Sequence, residues 1–341
     1  MNRKLPLLLS VFGCALGLAA GDAAAQAKHQ LRWGHYLADG PFVQLEKDYV
    51  ATIEKRTNGA VKINITFAGG LGKGEELLML TSRGAIDMTA TAPGYNPDQL
   101  RYWRAFQTPL VFQTSKQAMM VLDNVYKEFP IYAQEMDKVG VVWLFQQPLG
   151  EYYLSGPNPA CDTVASIKGK KIRSFGADIP KAFSAVGAVP VTIAPTAIYE
   201  ALQHGNLDYS FINPGNIQQY KLVEVGKHLC GPVMAITGHN VTIGKRTWAR
   251  LPKDVQNIMI EEGRKTMQAY LKWVGEFEEK AVANIKAQGG TFKPFNAEEL
   301  KKWKSTAPDF LAAWEQDTAK ATGDAATPKK VAARWRELLS K

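Results

Sequence analysis

The chain has 341 residues, of which 46% are hydrophobic and 21% are charged, so it is long enough for two domains and lacks the composition of a disordered protein. Its net charge is +9, but Lys and Arg are interspersed with Asp and Glu and form no basic block that could follow a phosphate backbone. The composition therefore argues against a nucleic-acid partner and favours a mildly positive field that attracts small anions.

The first 27 residues have the pattern of a secretory signal peptide. A short basic segment precedes an apolar run from Leu5 to Ala20, and small residues suited to cleavage follow at Ala25 and Ala27. No later stretch approaches the roughly 18 uninterrupted apolar residues that span a bilayer. We therefore expect export to the periplasm of a Gram-negative cell.

The cysteines leave two questions open. Cys14 lies in the apolar run and would suit a lipoprotein signal, but bulky Phe12 stands where a small residue is expected. Cleavage leaves Cys161 and Cys230, which can form a disulfide in an oxidising compartment or remain two separate buried thiols. Neither belongs to a CxxC pair, and the five histidines lack ligand spacing such as HExxH, so we expect no metal and no cofactor.

Beyond residue 30 the hydrophobic pattern alternates between strand and helix periods. Residues 31–34 read as a strand, and a helix begins at Pro41 and ends near Gly59. Alternating apolar and polar residues over 61–67 predict a half-buried strand, and a second helix follows over 75–83. This rhythm predicts an α/β fold with a largely parallel sheet covered by helices.

A weak internal duplication predicts two similar lobes. Residues 75–94 and 196–215 each contain a helix, a Gly-x-x-Asp turn, a strand-like segment and a Pro-Gly pair, with identical intervals from Gly to Asp and from Asp to Pro-Gly. Each copy would present a loop at the C-terminal end of a strand, where open α/β sheets bind ligands. Two such lobes facing each other would form one ligand cleft.

A long helical pattern runs from Pro252 to Gln288 with almost no breaker. At 1.5 Å per residue this helix would extend roughly 55 Å, longer than a small lobe is wide, and no strict heptad favours the alternative of a coiled coil. We therefore expect a helix over about 252–288 that spans both lobes. Lobe I is assigned to residues 28–150 and about 237–270, and lobe II to residues 151–236 and about 271–341.

Several stretches, in order, resemble the solute-binding proteins of TRAP (tripartite ATP-independent periplasmic) transporters, of the dicarboxylate type (DctP-like). The likeness covers roughly residues 30 to 320, and each motif is weak alone while the ordered set is specific. The matching stretches are Thr57-Asn58-Gly59, Leu71-Gly72, Gly84-Ala85-Ile86-Asp87-Met88, Thr108-Pro109-Leu110-Val111-Phe112, Ile167–Arg173, Val186–Val191 and Tyr199–Asp208.

The resemblance implies the two-lobe periplasmic solute-binding protein fold, with lobes linked by crossing strands and a long helix. It also implies capture of a small organic acid and delivery to a permease that has a small and a large integral membrane subunit. Transport would then be driven by an ion gradient rather than by ATP.

In that family the arginine that ends the Lys-Gly-Lys-Lys-Ile-Arg stretch pairs with the substrate carboxylate, and here that residue is Arg173. A guanidinium is planar, always charged, and offers a fork of donors that matches two carboxylate oxygens. The pattern alone also allows a solvated arginine beside Lys168, Lys170 and Lys171. The resemblance favours the ligand-pairing role.

Two further positions in the second lobe are candidates for ligand binding. Asn213 precedes Pro214 after the second-lobe strand; the family commonly has this Asn-Pro one residue closer to the Asp, and an ordinary Asn-Pro turn is the alternative. Tyr152 and Tyr153 stand where many relatives carry a second arginine, although structural tyrosines are common in strands. Tyrosine brings no charge, so we expect a monocarboxylate, a hydroxy or keto acid with an apolar or aromatic tail.

Other candidates lie at the expected cleft loops of the first lobe. His35 and Tyr36 follow the first strand, and Thr91 and Tyr95 flank Pro93. His239 begins the segment that returns from the second lobe to the first. A structural histidine is the alternative for His35.

Enzyme function is the main competing class. The chain contains no GxSxG elbow, P-loop, GxGxxG fingerprint or zinc signature, and no pair of carboxylates stands out as acid and base. We therefore expect a binding protein rather than an enzyme. A binding protein that serves another transporter or a sensor remains the alternative, because a fold does not by itself determine function.

Overall fold

The computed structural model describes residues 28–340, so the predicted signal peptide lies outside the described residues. The strands in this range are β1 (His29–Gly34), β2 (Val61–Thr66), β3 (Met88–Thr91), β4 (Val141–Gln147), β5 (Glu151–Gly156), β6 (Lys171–Ser174), β7 (Val189–Thr192), β8 (Ser210–Ile212), β9 (His228–Ala235), β10 (His239–Gly244) and β11 (Phe292–Pro294).

The helices vary from a single turn to 35 residues. They are α1 (Gln44–Arg56), α2 (Gly74–Arg83), α3 (Ser115–Glu128), α4 (Ile131–Val139), α5 (Val164–Ile167), α6 (Ile179–Ala185), α7 (Ile198–Gln203), α8 (Pro214–Gln219), α9 (Val223–Gly226), α10 (Lys245–Arg250), α11 (Lys253–Ala287), α12 (Ala297–Thr306), α13 (Phe310–Thr322) and α14 (Ala326–Leu339). Within residues 28–340, none of them combines the length and the hydrophobicity that a bilayer-spanning segment requires.

The first lobe is built on a five-stranded sheet in the order β2-β1-β3-β10-β4. β1 pairs in parallel with both β2 and β3, as the alternation of strands and helices predicts. β10 is antiparallel to β3 and β4, because it enters from the second lobe and not through a helical crossover. Buried apolar side chains such as Trp33, Tyr49 and Ile53 fill the layer between this sheet and its helices.

The second lobe contains a four-stranded sheet in the order β11-β9-β5-β8 and a parallel pair, β6-β7. β5 is antiparallel to β8 and β9. An isolated parallel bridge from Ile172 to Tyr209 places β6 beside the start of β8. The strand that carries Arg173 therefore runs in the same direction as β8, and both end at the same side of the lobe.

Two short segments connect the sheets of the two lobes. Residues 148–150 lead from β4 to β5, and residues 236–238 lead back from β9 to β10. Gly238 has a φ of +89°, and a Cβ at this position would overlap the carbonyl oxygen of Gln147. The crossing strands approach each other so closely that the position requires glycine.

α11 spans both lobes, as the sequence predicts. Its 35 residues extend about 52 Å at 1.5 Å per residue. Val255 and Met259 join the core of the first lobe, whereas Val274 and Ile285 join that of the second. Where the helix crosses β4, a Cβ on Gly263 would lie 2.9 Å from the carbonyl oxygen of Leu144, so glycine permits close packing of the helix against the sheet.

The C-terminal helices divide between the lobes, which corrects part of the predicted domain boundaries. Trp303 of α12 packs in the second-lobe core. Trp314 of α13 and Trp335 of α14 instead join a cluster with Trp103 of the first lobe, although residues 271–341 were assigned to lobe II. The indole N–H of Trp314 also donates to the carbonyl of Arg101 at 2.8 Å. The two residues are 213 positions apart in the sequence, so local periodicity does not reveal this contact.

A disulfide joins Cys161 to Cys230, which decides between the two states that the sequence left open. Both cysteines are buried in the second-lobe core. The cross-link connects the segment before α5 to the central strand β9 across a sequence separation of 69 residues.

Glu135 in α4 gives the first lobe a pH-dependent stability. Burial raises the pKa of this carboxyl to about 7, although the N–H groups of Tyr102 and Trp103, which donate to it at 2.9 and 3.1 Å, lower the pKa. In the unfolded chain the carboxyl titrates near 4.5, so between pH 4.5 and 7 the folded state binds more protons. The free energy of unfolding should therefore fall as the pH rises through this interval.

Because the side chain is partly exposed, we expect this loss to be about 1–2 kcal/mol between pH 5 and pH 8. Urea unfolding at both pH values should show that the wild type loses this much more stability than Glu135→Gln. Asp137→Asn, an exposed position on the same helix, is the control and should lose as much as the wild type. Equal losses in the wild type and Glu135→Gln would show that Glu135 does not titrate in this range.

Candidate functional site

A cavity of about 570 Å³ lies between the lobes, at the side where β3 and β6 end. The first lobe lines it with residues after β1 and β3 and around the start of α2, and the second lobe with residues after β6 and β7. The side chains that line it include Tyr36, Lys73, Glu75 and Tyr95 from the first lobe and Phe175, Thr192, Ile193 and Pro195 from the second.

A second, smaller cavity adjoins the first and has a volume of about 10 Å³, room for about one water molecule. Tyr36, Tyr95, Phe175 and Pro195 line both cavities, so the two spaces are neighbours separated by these side chains. Arg173 lines only the smaller one. A ligand carboxylate at Arg173 would thus lie at the inner end of the cleft, with the larger space available for the rest of the ligand.

Arg173 is the third residue of β6 and is only 2% exposed. Its Nε donates to the carbonyl of Ile193 at 3.3 Å and its Nη1 donates to that of Phe211 at 2.9 Å, while the guanidinium carbon lies 4.6 Å from the ring centre of Phe175. Within residues 28–340 no carboxylate forms an ion pair with it. The contacts orient the guanidinium, but among the described residues its charge faces neutral groups, namely carbonyl dipoles, the Tyr95 hydroxyl and an aromatic ring, and no carboxylate.

Tyrosine hydroxyls surround this guanidinium. Burial raises the pKa of Tyr95 and of Tyr152, although the positive charge of Arg173 lowers both. Both phenols therefore remain protonated in the physiological range, and each supplies an O–H group near the guanidinium.

Four of the candidates derived from the sequence meet at the smaller cavity, namely Tyr36, Tyr95, Tyr152 and Arg173. Tyr153 points to the other side of β5, where its ring centre lies 5.1 Å from that of Phe292. Thr91 is buried in β3, with its hydroxyl 3.4 Å from that of Thr89. Neither Tyr153 nor Thr91 lines one of these two cavities.

Asn213 is occupied by a contact within the protein. Its Nδ2 donates to Oε1 of Glu278 in α11 at 2.6 Å, and the N–H of Gly215 donates to Oε2 of the same carboxyl at 3.1 Å. Asn216, three residues later, lines the smaller cavity and donates through its Nδ2 to Oδ1 of Asn213 at 2.6 Å. The Asn-Pro loop therefore ties the second lobe to the long helix, and Asn216 rather than Asn213 faces the cavity.

His35 and His239 lie behind the cavity wall, on either side of Glu46 in α1. Nε2 of each histidine is 2.8 Å from the Glu46 carboxylate, and all three side chains are fully buried. These residue types and distances are compatible with a metal ion. However, Nδ1 of His35 accepts the N–H of Leu37 at 3.0 Å, so the hydrogen of this ring is on Nε2, the atom that would have to be bare to bind a metal. The three side chains therefore form a buried polar cluster, in which His239 is hydrogen-bonded to Oε1 of Glu46 and His35 lies in close contact with Oε2.

Several residues at the smaller cavity were missed from the sequence. Phe175 stands two residues after Arg173, a spacing that places side chains on one face of an extended chain, so alternation could have identified it. Gln107 accepts the N–H of Gly94 at 2.6 Å and donates to the carbonyl of Gly238 at 3.1 Å. No local pattern connects Gln107 with Gly238, because they are 131 residues apart.

The lobes also contact each other directly beside the cleft, through what we term the interlobe clasp. Nε2 of Gln219 donates to the carbonyl of Ala38 at 2.9 Å, and Oε1 of Gln219 accepts the N–H of Phe42 at 3.2 Å. The hydroxyl of Tyr220 accepts the N–H of Ala38 at 3.2 Å. The clasp therefore joins the end of α8 in the second lobe to main-chain atoms in the loop after β1.

Two α/β lobes joined by crossing strands and a long helix, with a cavity and a buried guanidinium between them, define the class of two-lobed solute-binding proteins. Residues 37–317 match the family model described as DctP, bacterial extracellular solute-binding protein, family 7. The chain belongs to this family. The resemblance to TRAP-type binding proteins is thereby confirmed.

Known relatives agree with this assignment. The C4-dicarboxylate-binding periplasmic protein DctP of Rhodobacter capsulatus is 27% identical over 295 residues, which are 85% of this chain and 87% of the relative. The Bordetella pertussis receptor DctP7, solved with pyroglutamic acid, has a TM-score of 0.80 at 16% identity and covers 90% of this chain and 99% of its own. A TRAP solute-binding protein of Desulfovibrio salexigens with bound orotic acid has a TM-score of 0.80 at 21% identity, over 92% of this chain and 99% of its own.

Proposed function

We propose that this protein captures a small monocarboxylate through an ion pair with Arg173 and delivers it to the membrane subunits of a TRAP transporter in the periplasm. The observation that carries this proposal is the nearly fully buried guanidinium at the inner end of the interlobe cleft, which has no anionic partner within residues 28–340. Removing a cation from water is costly unless a well-placed anion compensates it. A ligand carboxylate would supply that anion and stabilise the closed cleft.

The charges around the two cavities favour one carboxylate rather than two. Among the described residues that line them, Arg173 and Lys73 carry the positive charge, and Lys73 is exposed. A buried second carboxylate would face Tyr152, which can donate a hydrogen bond but cannot neutralise a charge. A single buried cation matches a ligand with one carboxylate at its inner end.

The larger cavity suits the remainder of such a ligand. Phe175, Ile193 and Pro195 form an apolar wall from the second lobe, and Tyr36 and Tyr95 face it from the first. Its volume is in the range of pockets that enclose small organic ligands. We therefore expect a hydroxy or keto acid with an apolar or aromatic tail. Pyroglutamic and orotic acid, which the two structural neighbours bind, likewise have a single carboxyl group.

A screen of organic acids by thermal shift tests the proposal, because a ligand that binds only the folded state raises the melting temperature. The panel should contain aromatic and branched hydroxy and keto acids, pyroglutamate, orotate, a C4 dicarboxylate and a neutral sugar. We expect a monocarboxylate to give the largest shift. Mass spectrometry after incubation should recover it unaltered, since we infer binding without a chemical step.

Three results would contradict the proposal. If the neutral sugar gave the largest shift, Arg173 would not be the determinant of affinity. If the C4 dicarboxylate outranked every monocarboxylate, a second anion-binding group would have to exist in the cleft. Conversion of the ligand would contradict the non-enzymatic part of the proposal.

A further inference from the structure

The cluster behind the cavity wall determines where its hydrogens lie. Burial would raise the pKa of Glu46, but His35 and His239 outweigh this effect and lower the pKa to about 2. Glu46 is therefore a carboxylate at neutral pH and can only accept hydrogen bonds. Each histidine that faces it must direct an N–H group toward it.

For His239 this requirement settles which ring nitrogen carries the hydrogen. Nε2 lies 2.8 Å from Oε1 of Glu46 and must therefore be protonated. Burial lowers the pKa of His239 and outweighs the opposing effect of Glu46, so the ring is neutral and Nδ1 is bare. The hydroxyl of Tyr36 lies 3.2 Å from Nδ1, and it must be the donor in this hydrogen bond.

Tyr36 connects this hydrogen-bond arrangement to the two cavities. This side chain lines both cavities and shares the smaller one with Arg173. A phenol has one hydrogen, and Tyr36 gives it to His239, so its oxygen can present only lone pairs to a ligand. Tyr220 is the opposite case. Its oxygen accepts the N–H of Ala38, so its own hydrogen is not used in that bond.

We propose that Tyr36 determines specificity by accepting a hydrogen bond, so that the protein prefers acids with a donor next to the carboxylate, such as 2-hydroxy acids, over the corresponding 2-keto acids. The inference rests on the proposed binding of the carboxylate by Arg173. A 2-hydroxyl group donates to Tyr36, whereas a 2-keto oxygen brings its lone pairs against those of Tyr36 and leaves both oxygens unpaired in a buried site. The preference for the hydroxy acid should be strong, because leaving polar groups unpaired in a buried site costs binding free energy.

The test uses matched pairs of acids with the same skeleton, mandelate with benzoylformate and 2-hydroxyisovalerate with 2-oxoisovalerate. Isothermal titration of the wild type should show that the hydroxy acid binds at least about tenfold more tightly than its keto partner. In Tyr36→Phe this ratio should fall to near one, chiefly through weaker binding of the hydroxy acid. Tyr152→Phe is the control and should weaken both acids by a similar factor.

Glu46→Gln should give a result that a merely structural role of the cluster would not produce. The glutamine oxygen can accept from His35 while its amide donates to Nε2 of His239, which moves the hydrogen of that ring to Nδ1. His239 would then donate to Tyr36, and the Tyr36 hydrogen would be released toward the ligand. We expect the preference to reverse, with the keto acid bound more tightly than the hydroxy acid.

The possible results separate this inference from the proposed function. If both acids of a pair bind equally well to the wild type and both are lost in Arg173→Ala, the proposed function holds and the inference is wrong. If neither pair shows binding that depends on Arg173, the proposed function fails for these acids and the inference fails with it. A folded Glu46→Gln that keeps the hydroxy-acid preference would also overturn the inference, and if this variant does not fold, Tyr36→Phe decides alone.

Discussion

Arg173→Ala should weaken the binding of the preferred monocarboxylate by about 3 kcal/mol, which is more than a hundredfold in dissociation constant. The loss is large because the guanidinium is almost fully buried, so water cannot replace it as partner of the carboxylate. Arg173→Lys should recover part of the affinity, since it keeps the charge but loses the fork of donors. Isothermal titration at constant ionic strength measures all three proteins.

Lys171→Ala is the matched control for this experiment. Lys171 lies two residues earlier on the same strand and carries the same charge, but its side chain is exposed. We expect its removal to leave the affinity within a factor of about two, because exposed charges are screened by solvent and salt. If Lys171→Ala and Arg173→Ala weakened binding equally, the effect would be one of net charge, and the ion pair with Arg173 would be refuted.

Removal of the disulfide should produce the largest loss of stability. The cross-link between Cys161 and Cys230 closes a loop of about 70 residues in the unfolded chain, and the loop-entropy relation gives about 4 kcal/mol for this length. The double variant Cys161→Ala/Cys230→Ala should therefore unfold at a melting temperature about 6 °C below that of the oxidised wild type. Differential scanning calorimetry of both proteins measures the difference.

Reductant supplies the control for the disulfide. It should lower the melting temperature of the wild type toward that of the double variant and leave the double variant unchanged. Titration of thiols in the denatured, unreduced wild type should find none from these two cysteines. Two reactive thiols in the exported protein would contradict the cross-link.

Features that depend on neighbours in sequence could be predicted well. The long helix was expected over 252–288 and runs over Lys253–Ala287, because its periodic apolar residues and the proline before it are local signals. The choice of Arg173 as a candidate followed from a contiguous motif shared with the family, whereas its place on β6 beside the smaller cavity comes from the structure. Alternation along β5 separates Tyr152, which faces the cavity, from Tyr153, which does not, although the sequence did not show which of the two faces inward.

Features that depend on distant partners could not be predicted. The sequence makes Asn213 a ligand-binding candidate, but no local pattern indicates that its amide donates to Glu278, 65 residues later. Nothing in the sequence indicates that His35 and His239 both reach Glu46. The packing of Trp314 and Trp335 against the first lobe is of the same kind: the amphipathic pattern predicts a buried face but does not identify its partner.

The interlobe clasp has a consequence for how such a protein changes its cargo. Gln219 and Tyr220 bind main-chain atoms of Ala38 and Phe42, so these bonds do not depend on the side chains in that loop. None of these four residues lines either of the two cavities described here. Substitutions in the wall of the cleft would therefore leave the clasp bonds intact, so the proposed ligand preference and the contact between the lobes can evolve independently.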